Sequence, residues 1–281
     1  MSATQATVQM PRSDLRGFER VSVPIADAIQ THPTLQRIAR PIWRYGGKNF
    51  VGLLTSNLYR PHGLHRVRNL DAPEGTVLIA NHRSFFDLYF ISNLLIDEAE
   101  HLMGRILYPV RKDFFYDAPA GLALNLALTC GSMWPPIFRD ARRSALNPIA
   151  MRQVGAAMRR GTFVGIHPEG RRNRETDPWT LGKLRPGLGQ IVLSCHPEVR
   201  ILPAFTLGAD NDFWHTITRN LRPPGQRGEP VRIWFDAPLR CGDLVQAHGN
   251  DPVAITEAAM AKVQALAEAD RQAWLADPSD I

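Results

Sequence analysis

Cysteine is scarce in this sequence: Cys130, Cys195 and Cys241 are the three among 281 residues. Three thiols in a chain of this length cannot build a disulfide framework, which predicts a reducing compartment. The opening stretch MSATQATVQMPRSDLRGFERV lacks the apolar run of a secretory signal, so the expectation is a cytoplasmic chain. Internal repeats and low-complexity tracts are also missing. There is no zinc-type ligand cluster, no P-loop and no complete G-x-G-x-x-G, so metal and nucleotide chemistry are not implied and no cofactor is expected. Hydrophobic residues make up 44% and charged residues 21%, a composition that can bury a large core. Residues 118–138 carry no charge and are long enough for a membrane span. Pro119, Asn125, Thr129, Pro135 and Pro136 interrupt them, however, and the pattern predicts a buried core helix followed by a strand.

Acidic residues are absent between Asp27 and Asp71, where Arg37, Arg40, Arg44, Lys48, Arg60, Arg66 and Arg68 supply seven cations. The net charge is +6, so this one segment holds the whole basic excess. Such segregation implies an anionic surface as partner, either a phospholipid membrane or nucleic acid. Arg37, Arg40, Arg44 and Lys48 share one helical face, whereas Leu35, Ile38, Ile42 and Tyr45 line another, beside Trp43. Pro41 should kink or delimit this helix, Gly46-Gly47 should end it, and a second apolar stripe follows at Phe50, Leu53, Leu54 and Leu58. A basic amphipathic helix of this kind lies in a membrane interface; the competing reading is a helix packed on the domain with its basic face in water. The expected organisation is a polar tail over 1–33, membrane-docking helices over 34–62 and a catalytic domain over 63–281.

Past residue 70 short β-branched runs alternate with helical patterns. Strands are expected at Thr76–Ala80, Met133–Phe138, Thr162–His167, Arg200–Thr206 and Val231–Phe235. Helices are expected at Phe85–Glu98, Pro119–Thr129, Ser144–Arg159, Pro186–Ser194 and Pro252–Trp274, the last opened by Asp251 as cap and Pro252 at its first position. The fold class is therefore α/β, a mostly parallel sheet flanked by helices. Gly208–Gly228, rich in Gly, Pro, Asn and Arg, reads as a surface excursion.

Two strand ends carry chemistry. In Asn81-His82-Arg83-Ser84-Phe85-Phe86-Asp87 a buried strand runs into a polar turn and a helix start, the place where open α/β sheets gather ligands. Asp87 can fix the tautomer of His82 and leave its other nitrogen as a general base. Alternatively, Ser84-x-x-Asp87 is a capping box and Asp87 only completes the helix terminus. At the second strand end, His167-Pro168-Glu169-Gly170-Arg171-Arg172-Asn173-Arg174 places three arginines in four positions around a permissive glycine. Arginine forks bind phosphate, and Glu169 can orient an arginine or the substrate, or else serve as counter-ion of a solvated turn.

Together these blocks resemble the glycerolipid acyltransferases. Asn-His-Arg-Ser-Phe-Phe-Asp is similar to their His-x4-Asp motif, and Pro168-Glu169-Gly170-Arg171-Arg172 to their Pro-Glu-Gly-Thr-Arg motif, with Arg171 in place of Thr. Pro136-Ile137-Phe138-Arg139-Asp140 resembles the intervening Ile-Phe-Ile-Asp-Arg block and Ile201-Leu202-Pro203-Ala204-Phe205 the Ile-Val-Pro-Val strand; Lys183 and Gly187 resemble the following Lys and Gly. The likeness covers roughly residues 65–240. His167 departs from the aromatic or aliphatic residue usual there, and Ala141 stands where an arginine is expected, so Arg139, Arg142 or Arg143 must replace it.

The resemblance implies transfer of a fatty acyl group from acyl-CoA or acyl-carrier protein to a lyso-lipid hydroxyl, with His82 and Asp87 catalytic. It implies that Arg139, Glu169, Gly170, Arg171 and Arg172 bind a phosphate-bearing acceptor. Backbone N–H groups near Ser84 are candidates for the oxyanion. The expected partners are an anionic phospholipid membrane, the lyso-lipid and the thioester donor; without a recognisable nucleic-acid motif, nucleic acid is not expected. The expected location is peripheral, on the cytoplasmic face of the cell membrane.

Overall fold

The computed structural model describes residues 9–42, 49, 52, 55–158 and 161–276. Nine strands are assigned among these residues: β1 (Tyr59–His62), β2 (Thr76–Ala80), β3 (Arg105–Leu107), β4 (Val110–Arg111), β5 (Pro136–Ile137), β6 (Thr162–Ile166), β7 (Arg200–Leu207), β8 (Val231–Phe235) and β9 (Leu239–Arg240). The principal helices are α1 (Glu19–Thr31), α2 (Pro33–Ile42), α3 (Asp87–Glu98), α4 (Pro119–Thr129), α5 (Asn147–Ala157), α6 (Gly187–Val192), α7 (Phe213–Leu221), α8 (Cys241–His248) and α9 (Pro252–Ala276).

The main sheet runs β1-β8-β7-β2-β6-β3, with β9 added on β7. β2 lies parallel between β6 and β7, with Ile79 opposite Ile166 on one side and Pro203 on the other. All five residues of β2 and of β6 are buried, as parallel strands covered on both faces require. The expected mostly parallel α/β sheet is thus present, with β1–β8 and β3–β6 parallel as well. β8 and β9 run antiparallel to β7, because the 208–228 excursion returns the chain beside the strand it left. The expected strand over Met133–Phe138 is reduced to β5, which pairs with β4 outside the main sheet.

Two boundaries are corrected. Residues 10–31 are not a polar tail: Met10, Leu15, Val23 and Ala26 are buried in the main core, and α1 packs against the 116–134 region. Ser22 donates to the carbonyl of Tyr116 (2.8 Å), Gln30 to that of Gly131 (2.7 Å), and the Trp134 indole to Asp27 (2.6 Å). Glu19, whose charge suggests solvent, is buried against Arg143 and Lys112. Likewise the 34–62 segment ends in β1, and Leu58 lies in the core. Within it α2 contains Pro41 and exposes Leu35, Arg37 and Ile38. Trp43, Arg44, Tyr45 and Lys48 of the first stripe and Phe50, Leu53 and Leu54 of the second lie outside the described residues.

The uncharged 118–138 stretch forms α4, opened by Pro119 and closed by Cys130 in the left-handed region. It is half-buried rather than a core helix: Leu122, Asn125 and Thr129 face inward, while Ala123, Leu124 and Ala127 are exposed. No helix among the described residues is long and apolar enough to cross a membrane.

Candidate active site

Because β2 and β6 are parallel neighbours in register, the turns that follow them emerge at the same edge of the sheet. His82 follows β2 and His167 follows β6, and their rings stack with centroids 3.9 Å apart and planes 6° from parallel. Two segments 85 residues apart in sequence thereby share one site. β7 ends at the same edge, so Asp210 and Asn211 join them: Ser84 Oγ donates to the carbonyl of Asp210 (2.5 Å) and the Phe85 amide to Asn211 Oδ1 (3.0 Å).

The His82–Asp87 pair forms, with Nδ1 3.2 Å from Oδ2. The same Oδ2 accepts the amides of Arg83 and Ser84, both at 2.7 Å. One carboxylate oxygen thus orients the imidazole and ties down the turn that leads into α3, while the helix itself begins at Asp87 without a side-chain cap. Ser84 does not supply a capping box; its hydroxyl accepts the Phe86 amide at 3.1 Å. The amides of residues 83–86 are all engaged, to Asp87, Asn211 and Ser84, which removes the oxyanion donors expected near Ser84. Since a carboxylate can only accept, Nδ1 of His82 carries the hydrogen and Nε2 offers a lone pair.

Burial sets the charge states. It lowers His82 to about 4, with help from the positive charge of Arg172, so the ring is neutral at pH 7. Burial raises Asp87 to about 6, so at pH 7 the carboxylate form prevails. Asp87 Oδ1 is buried without a hydrogen-bond partner.

Glu169 does something the sequence did not suggest. It orients no arginine: Oε1 accepts the backbone N–H of His82 and Oε2 that of Gly182, each at 3.0 Å. A buried carboxylate thus staples the two motifs together, and burial raises it to about 7. Asn173 adds a second tie, its amide donating to the His82 carbonyl at 2.6 Å. Gly170 sits at φ +67° and donates to the His167 carbonyl, a turn few side chains tolerate.

A profile of the acyltransferase family matches residues 61–206, just over half of the chain. The chain belongs to the acyltransferase family. Among solved structures its fold is similar to that of the 1-acyl-sn-glycerophosphate (LPA) acyltransferase PlsC from Thermotoga maritima, with a TM-score of 0.50, 16% identity and coverage of 89% of this chain and 87% of that one. No curated protein matches it in sequence.

The arginines of this acyltransferase divide into two groups. Arg172 donates to Asn211 Oδ1 at 2.9 Å and acts electrostatically on His82. Arg139 donates to the Gly170 carbonyl at 2.8 Å, and burial together with the like charges of Arg111, Arg171 and Arg185 lowers its affinity for a proton. Of the three possible stand-ins for the expected arginine, Arg143 is spent on Glu19, and Arg139 reaches the second motif. Arg139 also lines a cleft of about 450 Å³ with Arg16, Lys112 and Asp113. Arg111, Arg185 and Asn211 were not singled out in the sequence. Asn211 had a readable signal, a polar turn after the Arg200–Leu207 strand, whereas Arg111 and Arg185 sit in segments with no periodic pattern.

Proposed function

We propose that this acyltransferase moves a fatty acyl group from acyl-CoA or acyl-carrier protein to the hydroxyl of a phosphate-bearing lyso-lipid. The favoured acceptor is 1-acylglycerol-3-phosphate, giving phosphatidate; glycerol-3-phosphate would undergo the same chemistry. The observation that carries this reading is the His82 imidazole, neutral, bound through Nδ1 to a buried carboxylate and standing beside Arg172.

In this mechanism Nε2 of His82 takes the proton of the acceptor hydroxyl as its oxygen bonds to the thioester carbonyl carbon. Collapse of the tetrahedral adduct breaks the C–S bond, and the imidazolium returns the proton to the departing thiolate. Asp87 stabilises the imidazolium between these steps. Arg172, with Arg171 and Arg139, grips the phosphate and so positions the hydroxyl. Glu169 and Gly170 act by holding the backbone that carries these groups. The basic segment from Arg37 to Arg68 would keep the enzyme on the anionic cytoplasmic leaflet from which the acceptor is drawn.

The test is purified protein with labelled acyl-CoA or acyl-carrier protein and a panel of lyso-lipids plus glycerol-3-phosphate, products being resolved by mass spectrometry. An ester on a phosphate-bearing acceptor, lost in His82→Ala, is expected. Free fatty acid released without acceptor would identify a hydrolase, and an acyl group trapped on the protein would replace the base by a nucleophile.

A further inference from the structure

The residue facing the His82 ring is itself an imidazole. The stack of His167 on His82, 3.9 Å between centroids and 6° between planes, is nearly parallel. Nδ1 of His167 lies 3.1 Å from the Ala80 carbonyl, which can only accept, so this nitrogen carries the hydrogen and the bond pins the ring. Burial, then the neighbouring His82, lowers His167 to about 3, so its ring is neutral at pH 7.

Ligand atoms of His82, His167 and Asp87 lie within 4.8 Å of one another, a spacing a metal ion could use. Parallel stacked rings, however, send their in-plane lone pairs side by side rather than toward one point, which suits a metal poorly. What a neutral aromatic face does for a ring that becomes a cation is lie against it. That need is real here. Half-buried His82 must become an imidazolium with Arg172 and Arg139 opposing the charge, while Arg83 draws on the field of Asp87 and Glu169.

We propose that His167 is a positioning residue for the general base, its face fixing the plane of the His82 ring and stabilising the imidazolium formed during transfer. The inference rests on the reading of His82 as the base of the proposed reaction.

Two substitutions separate the aromatic face from bulk: His167→Phe keeps a face, and His167→Leu fills the space without one. Each is followed by NMR titration of the His82 ring and by kcat and KM against pH, with thermal unfolding to show that both variants fold; His167→Met replaces the leucine variant if that one does not. The phenylalanine variant should keep kcat within about threefold of wild type. The leucine variant should lose about tenfold in kcat at unchanged KM, with the His82 midpoint and the acidic limb of kcat moved about half to one pH unit lower. Equal behaviour of the two variants would overturn the proposal, as would a slow leucine variant whose His82 titration is unmoved. If wild type transfers no acyl group but the two variants still differ in the His82 titration, the functional reading fails and the stack stands.

Discussion

At the scale of single residues, the site is a set of buried and half-buried ionisable groups whose proton affinities burial has shifted. His82 and His167 stand at about 4 and about 3, below their ordinary 6.5. The stability they contribute is whole above pH 6.5 and is lost as pH falls through those lowered values. Asp87 and Glu169 stand at about 6 and about 7, above their ordinary values, so their contribution is whole in acid and is lost as pH rises through 6 and 7. Between pH 4.5 and 6.5 the two pairs oppose each other. The double variant His82→Gln/His167→Phe removes only the acid-sensitive pair. Its melting temperature relative to wild type should therefore become more favourable as pH falls from 7 to 4.5; a difference constant with pH would contradict the neutral state of both rings. Replacing Asp87 by Asn keeps the volume but withdraws the charge opposite the imidazolium. It should lower kcat by about 10²-fold or more with folding retained, read by steady-state kinetics beside circular dichroism. Both partners of that pair were legible in the sequence, since a strand end leading into a helix start exposes polar side chains. The staple role of Glu169 was not, because its partners are backbone amides and amides leave no mark in residue identity.

Elements were legible in proportion to how far burial patterned them. β2, β6 and β7 are continuous apolar runs and were placed within a residue or two. β1 and β3 leave no such pattern, being short edge strands that contain Arg60 and Arg105 and show no alternation. α1 leaves none either, because its anchor is a charge. Glu19 meets Arg143 (Nη1 to Oε1, 2.9 Å) and Lys112 (3.1 Å), and these cations hold its carboxyl at about 2 against the effect of burial. A buried ion that loses its partner costs about 3–5 kcal/mol. Glu19→Ala should therefore cost roughly that much in urea unfolding and expose α1 to proteolysis first. A second buried carboxylate ties the C-terminal helix to the site loop. Asp270 on α9 accepts from Arg232 (2.7 and 3.0 Å), from the Trp234 indole (2.7 Å) and from the Trp179 indole (2.8 Å). Trp179 belongs to the loop that includes Gly182, the amide partner of Glu169. Weakening Asp270 should thus loosen the motif staple as well as the core.

Over the whole molecule, charge is segregated in a way the fold explains only in part. β1 brings Arg60 to the edge of the sheet, and Arg66 and Arg68 are paired with Asp236 and Glu98. Those two are therefore already spent within the fold, and the seven cations counted in the sequence overstate what a membrane would meet. Arg37 is exposed on α2 beside exposed Leu35 and Ile38, the mixture of cation and apolar side chain that an interfacial helix presents. Each basic residue near an anionic surface is worth about 1 kcal/mol. Replacing Arg37, Arg44 and Lys48 together by Gln should then weaken binding to phosphatidylserine-containing vesicles about a hundredfold, measured by co-sedimentation at low salt. Replacing Arg66 and Arg68 by Gln should have a much smaller effect on sedimentation and a measurable one on thermal stability. Raising ionic strength should release the wild-type protein, since screening acts on exposed charges and barely on buried ones. If the two sets of substitutions weaken binding equally, the cations act as an undifferentiated cloud and the docking role of the 34–48 segment is lost.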